Sequence, residues 1–116
     1  MSVKIYHNPR CSKSRQTLQL IEEQGIQPEI IEYLKNPPSV AELENILTLL
    51  GLQPRELMRT KEAEYKSTGM DNAELDRDAL IAGMVANPKL IERPIVIANG
   101  RAAVGRPPEN VLAILS

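Results

Sequence analysis

One thiol is the strongest candidate nucleophile in this sequence, and a few guanidinium groups could bind an anion beside it. Cys11 is the single cysteine in 116 residues. It lies in the stretch Ile5-Tyr6-His7-Asn8-Pro9-Arg10-Cys11-Ser12-Lys13-Ser14-Arg15. There a short apolar run gives way, through the breaker pair Asn8-Pro9, to a helical pattern starting near Ser12. A thiol at a helix start faces unpaired N–H groups and the positive end of the helix dipole. Arg10, Lys13 and Arg15 add cationic charge within a few residues. Both effects favour thiolate over thiol, so the pKa is expected well below the free value of about 8.5. The size of the shift decides reactivity. An unperturbed thiol is only about 3% ionised at pH 7, while a shift of about two units, worth roughly 2.7 kcal/mol, makes it mostly thiolate. The alternative for a lone cysteine is a small buried hydrophobe. The strand–turn–helix placement and the flanking cations favour the reactive thiol.

Three arginines stand at the ends of expected elements instead of mid-face: Arg59 after a short helix, Arg93 before a strand and Arg106 after a hairpin. The planar donor fork of arginine suits tetrahedral oxyanions. Taken singly, each is a solvated surface residue; converging on Cys11, the three would make an oxyanion pocket with a nucleophile at its base. His7, four residues before Cys11, could pair with the thiolate or simply bond a backbone carbonyl at the strand end. Ser14 completes a Cys-x-x-Ser pattern: it can donate to the thiolate but cannot close a disulfide, so turnover would need a thiol from outside.

The elements that must position these groups can be read from periodicity and breakers. Val3 to His7 alternates as a first strand. The helix after Cys11 turns Leu18, Ile21 and Leu20 inward and stops at Gly25 in the C′ role. Pro28 introduces a second strand over 29–34, and strand–helix–strand in this length implies a parallel pair. Ser39 and Glu42 form a capping box for a helix with Val40, Leu43, Ile46, Leu47 and Leu50 on one face, ending at Gly51. Pro54 to Met58 is a short helix with Pro at N1. A polar helical turn and loop follow over 60–72. Asp76 then caps a helix presenting Leu80, Ile81, Met84 and Val85, stopped by Asn87-Pro88. Pro94-Ile95-Val96-Ile97-Ala98 reads as a central strand, and Asn99-Gly100 as a two-residue hairpin turn returning through 101–104. Pro107-Pro108 precedes a last amphipathic helix with Val111, Leu112 and Leu115 inward. The chain is thus expected to be one α/β domain, βαβ then ββα, with a helical insertion over about 37–88.

The totals exclude several classes. With no Phe or Trp and only three Tyr, the core must be built from Leu, Ile, Val, Ala and Met, and the scarcity of rings argues against a base-stacking surface for single-stranded nucleic acid. A net charge of -1 offers no global attraction to DNA or RNA. No apolar run approaches the roughly 18 residues of a membrane span, and no signal-peptide core is visible. One unpaired thiol suits a reducing cytosol, so a cytoplasmic location is expected. There is no Gly-rich phosphate loop and no Cys/His set with metal spacing, so no metal is expected. Cys11 to Arg15 is Cys-x-x-x-Arg, shorter than the Cys-x₅-Arg loop of tyrosine phosphatases.

The run from His7 to Arg15 resembles the active-site signature of the glutaredoxin-coupled arsenate reductases, a family with a thioredoxin-like fold. The likeness continues through Tyr33-Leu34, Pro37-Pro38, Leu57-Met58-Arg59, Glu92-Arg93-Pro94-Ile95-Val96 and Gly105-Arg106-Pro107. It is greatest to the short chromosomal branch, without the C-terminal extension of the plasmid-type members. The resemblance implies a thioredoxin-like mixed four-stranded sheet with the insertion between the second and third strands. It implies that Cys11 attacks arsenate held by Arg59, Arg93 and Arg106. The resemblance also implies that no cofactor is bound, that glutathione is the reductant, and that glutathione and glutaredoxin would reduce the adduct and release arsenite. His7 and Ser14 would support the thiolate, Asn8 would position the loop, and the Arg93-Pro94 bond would be cis. Two alternatives stand beside it. One is a monothiol glutathione-dependent oxidoreductase. The other is a binding protein like the redox-linked transcription regulators of the same superfamily, against which Ser14 in place of a second cysteine argues.

Overall fold

The computed structural model describes residues 2–115. In chain order the elements are β1 (Val3–His7), α1 (Ser12–Glu23), β2 (Glu29–Glu32), α2 (Val40–Leu50), α3 (Ala63–Ser67), α4 (Arg77–Ala86), β3 (Ile95–Ala98) and β4 (Arg101–Val104). Short 3₁₀ segments occupy Pro54–Leu57, Pro88–Leu90 and Pro108–Ile114. None of the helices among the described residues is long and apolar enough to cross a membrane. The chain forms two compact units, one from the stretches up to Asn36 and from Arg93 onward, the other from Pro37–Glu92.

The first unit holds one four-stranded mixed sheet in the order β2-β1-β3-β4. β1 runs parallel to β2 and antiparallel to β3, and β3 and β4 form the antiparallel hairpin. Because side chains alternate along a strand, Val3 and Ile5 share a face. They sit opposite Ala98 and Val96 of β3. These four pack with Ile21 of α1 and with Val111, Ile114 and Leu115 to form an aliphatic core. The hairpin turn takes positive φ at both Asn99 and Gly100, the pair that a two-residue turn of matching twist requires. Asn99 Nδ2 and Arg101 Nη1 donate to the carbonyls of Ile114 and Ala113, at 3.0 and 3.1 Å, which ties the hairpin to the C-terminal segment.

Two expectations for this unit need correction. β2 ends at Glu32, not at 34, because the N–H groups of Lys35 and Asn36 both turn back to the Glu32 carbonyl at 2.9 Å. The last element is a 3₁₀ stretch and not an α-helix. Three residues per turn line up positions three apart, so Pro108, Val111 and Ile114 are buried while Leu112, expected inward, is 38% exposed.

The second unit is helical. Ser39 Oγ accepts from the Glu42 N–H at 3.1 Å and Glu42 Oε1 from the Ser39 N–H at 2.9 Å, completing the capping box. Gly51 closes α2 in the left-handed region, at φ 68. Leu43, Ile46 and Leu47 of α2 are buried, and α2 packs on α4, which buries Leu80, Ile81 and Met84. Val40, also expected inward, is 49% exposed, one turn ahead of the buried stretch that begins at Leu43. Asp76 Oδ1 caps α4 by accepting from the Ala79 N–H at 2.8 Å. Two extended pieces, around Met58 and Ile91, meet as an antiparallel bridge. Arg59 N–H donates to the Leu90 carbonyl at 2.7 Å and Glu92 N–H to the Leu57 carbonyl at 2.8 Å.

Candidate active site

Cys11 is the N-cap residue of α1, with extended backbone angles (φ -94, ψ 124), and is buried. The Asn8-Pro9 breaker shapes the approach: Cys11 N–H donates to the Asn8 carbonyl, and Arg10 N–H to Asn8 Oδ1, each at 3.0 Å. Asn8 therefore folds the turn with both its backbone and its side chain. Arg15, one turn into α1, donates from Nη1 to the Pro9 carbonyl at 2.9 Å.

The hydroxyl of Ser14, fully buried, is the hub beneath this loop. It accepts from the Asn8 N–H at 3.0 Å and shares a 2.6 Å hydrogen bond with His7 Nδ1. His7 is buried at the end of β1. Burial lowers its pKa below 6.5; Glu32 works in the opposite direction, and Arg15 adds to the lowering. A neutral imidazole bound to a serine is thus what faces the loop at neutral pH, in place of an imidazolium paired directly with the thiolate.

Arg106 reaches the sulfur. Its Nη2 lies 3.6 Å from Cys11 Sγ, while its Nε donates to the Arg93 carbonyl at 2.8 Å. The second bond fixes the guanidinium and brings the two arginine-bearing loops together. Burial of the sulfur is the largest influence on its pKa and pushes it up. The Ser14 N–H, the Arg93 guanidinium, the Lys13 N–H and the Arg106 guanidinium together outweigh it, so the net shift is downward.

The expected cis bond at Arg93-Pro94 is present, and Arg106-Pro107 is cis as well. Gly105 N–H donates to the Pro94 carbonyl at 2.9 Å. A Cβ at Gly105 would stand 2.4 Å from Thr17 Oγ1 and 2.8 Å from Pro94 Cγ. Thr17, buried on α1, donates to the Lys13 carbonyl at 2.7 Å and lies 3.5 Å from the Gly105 carbonyl oxygen. Thr17 and Gly105 therefore seat the two proline loops against α1, and neither was among the residues expected to serve the site. The glycine beside Arg106 was the available signal, because a close backbone approach excludes a side chain.

Arg59 belongs to the helical unit. Its Nε donates to Glu62 Oε1 at 3.1 Å, its Nη2 lies 3.0 Å from the same oxygen, and its Nη1 donates to Glu92 Oε1 at 3.0 Å. Glu62 and Glu92 were not among the residues expected to serve the site.

A parallel β1–α1–β2 unit, an antiparallel β3–β4 hairpin and a helix-start thiol held by guanidinium groups define a thioredoxin-like thiol protein. The model of the ArsC family matches residues 6–114, and the chain belongs to that family. It is 54% identical over 114 residues, covering 97% of each chain, to a protein of Neisseria meningitidis serogroup A named arsenate reductase. It is 56% identical over 114 residues to an Escherichia coli K12 protein described as uncharacterized, covering 97% of this chain and 96% of that one. The solved structure of an arsenate reductase from Vibrio cholerae superposes with a TM-score of 0.96 at 57% identity, covering 99% of this chain and 98% of that one.

Proposed function

We propose that this protein is an arsenate reductase in which Cys11 is the nucleophile. The observation that carries the reading is the approach of Arg106 Nη2 to within 3.6 Å of Cys11 Sγ at the start of α1. A guanidinium beside a sulfur of lowered pKa serves twice, keeping the thiolate charged and offering donors to an incoming oxyanion. The relatives named for arsenate reduction supply the oxyanion's identity.

In this mechanism the Cys11 thiolate attacks arsenic(V) and an arsenate oxygen leaves as water after protonation, giving a thiol–arsenate adduct. Arg93 and Arg106 hold the equatorial oxygens and neutralise the charge that develops on them. Arg59 is assigned to the same oxyanion by the family resemblance. Reduction of arsenic(V) to arsenic(III) takes two electrons, and the chain has one cysteine. A second thiol must therefore come from outside. Glutathione fills that role: its sulfur and that of Cys11 each give one electron and end joined as a mixed disulfide while arsenite departs. A glutaredoxin thiolate then attacks the glutathione sulfur, taking the disulfide onto itself and releasing Cys11 as a thiol, and further glutathione reduces the glutaredoxin. The reading also places the protein in the cytoplasm, where glutathione is reduced.

Purified protein incubated with arsenate, glutathione and glutaredoxin is expected to produce arsenite, and Cys11→Ser to produce none. Equal arsenite from both proteins would overturn the reading. Omitting glutaredoxin should stop turnover after a single cycle, leaving glutathione attached to Cys11 in the mass spectrum.

A further inference from the structure

We propose that Glu62 and Glu92 are positioning residues for the oxyanion, acting through Arg59. This rests on the reading that Arg59 contacts arsenate. An arginine side chain carries about 2 kcal/mol of rotamer entropy, which an incoming anion must overcome unless the fork is already held. Here it is held from two sides, by Glu62 Oε1 at Nε and Nη2 and by Glu92 Oε1 at Nη1, all within 3.0–3.1 Å.

The donor count leaves room for a third anion. A guanidinium has five N–H groups, and each terminal nitrogen has two. Glu92 takes one on Nη1 and Glu62 faces Nε and Nη2. Both terminal nitrogens thus keep a donor for an oxyanion, with the plane of the fork already set.

The carboxylates are themselves anchored. Lys89 Nζ lies 3.8 Å from the other oxygen of Glu62 and 3.4 Å from Glu64 Oε1. Glu92 is fixed by its backbone bond to Leu57 at 2.8 Å, two residues before Arg59. It also directly precedes Arg93 in the chain. The three charged side chains are each partly shielded, with 22% of Arg59, 22% of Glu62 and 29% of Glu92 exposed. That shielding lets the contacts outlast solvent competition better than a surface pair does.

The opposing possibility is that the two carboxylates merely neutralise Arg59 and repel the anion. The two differ in sign. If the carboxylates orient the fork, isosteric Glu62→Gln and Glu92→Gln each raise the KM for arsenate by about three- to tenfold, the usual cost of ordering one long side chain on binding. kcat then stays within about twofold, because Cys11 and Arg106 are untouched. The same rise is expected in the arsenate concentration that half-protects Cys11 from alkylation, a readout that needs no turnover. In an Arg59→Ala background, neither Gln substitution should raise these values further, and Glu92→Asp should recover part of the loss.

A fall or no change in KM and in the protection constant would overturn the proposal, as would Gln effects that persist in full without Arg59. If Arg59→Ala itself leaves arsenate protection unchanged, the positioning role fails with it. If wild-type protein shows no arsenite production but normal protection that depends on Arg59 and both glutamates, the positioning role stands while the reductase reading fails. Thermal unfolding of each variant separates folding loss from these outcomes.

Discussion

At Cys11 the competition is between burial, which favours the neutral thiol, and two kinds of positive potential: the Ser14 and Lys13 amides and the Arg93 and Arg106 guanidiniums. The positive potential wins, and Arg106, whose guanidinium approaches the sulfur at 3.6 Å, can be removed without touching α1. Arg106→Ala should therefore move the pH midpoint of Cys11 alkylation upward toward the free-thiol value and slow alkylation at pH 7. An unchanged profile would assign the lowering to the amides and Arg93 alone. The local cations read from the sequence, Arg10, Lys13 and Arg15, turn out to be exposed. What reaches the sulfur is a guanidinium from 95 residues away. Ser14 also differs from its expected part. Its hydroxyl is engaged with His7 and Asn8, and its backbone N–H acts on the sulfur.

The elements place these groups through a small number of tight contacts. Gly105, between β4 and the Arg106-Pro107 bond, lies so close to Thr17 and Pro94 that a methyl group would overlap both. The Pro94 ring cannot swing aside as a flexible chain would, so Gly105→Ala should destabilise by about 1–3 kcal/mol and disturb the seat of Arg93 and Arg106. Gly83 in α4 provides the contrast. Its added Cβ would meet only the Met70 thioether and methyl, at 2.2 and 2.8 Å. Met70 can move, and alanine recovers about 1 kcal/mol of helix propensity, so Gly83→Ala should be close to neutral. Chemical denaturation of the two variants checks the pair; equal losses would refute the assignment of rigid and soft neighbours.

Across the whole molecule, two pKa shifts of the same direction predict how stability follows pH. His7 is lowered from 6.5 in the folded state, so its neutral form is favoured by folding. That contribution is complete above 6.5 and is lost as pH falls from there through the folded value. Cys11 is lowered from the free-thiol value, so its contribution is complete above that value and fades as pH falls through its folded value. Both groups bind more protons when unfolded, and both make the fold more stable as pH rises. Thermal midpoints under reducing conditions should rise between pH 5 and pH 9. Cys11→Ser should flatten the upper part of that curve, above neutrality, and leave the lower part to His7. A wild-type midpoint that falls over the same range would contradict both shifts.

Much of this was written in local patterns. Alternation in β1, the capping box at Ser39 and Glu42, the Asn99-Gly100 turn and the helix start after Cys11 are each decided by neighbours within a few residues, and each formed as read. The sequence by itself also identified the thiol and the arginines that could serve it. What it left open were properties set by packing between distant segments. The last element is a 3₁₀ stretch in which Val111 and Ile114, three residues apart, pack into the core with Ile21 of α1. The approach of Arg106 to the sulfur, the seat made by Thr17 and Gly105, and the hold of Glu62 and Glu92 on Arg59 link groups whose partners no local pattern names. Only the folded chain brings such groups within a few ångströms, where hydrogen bonding and desolvation decide charge and orientation.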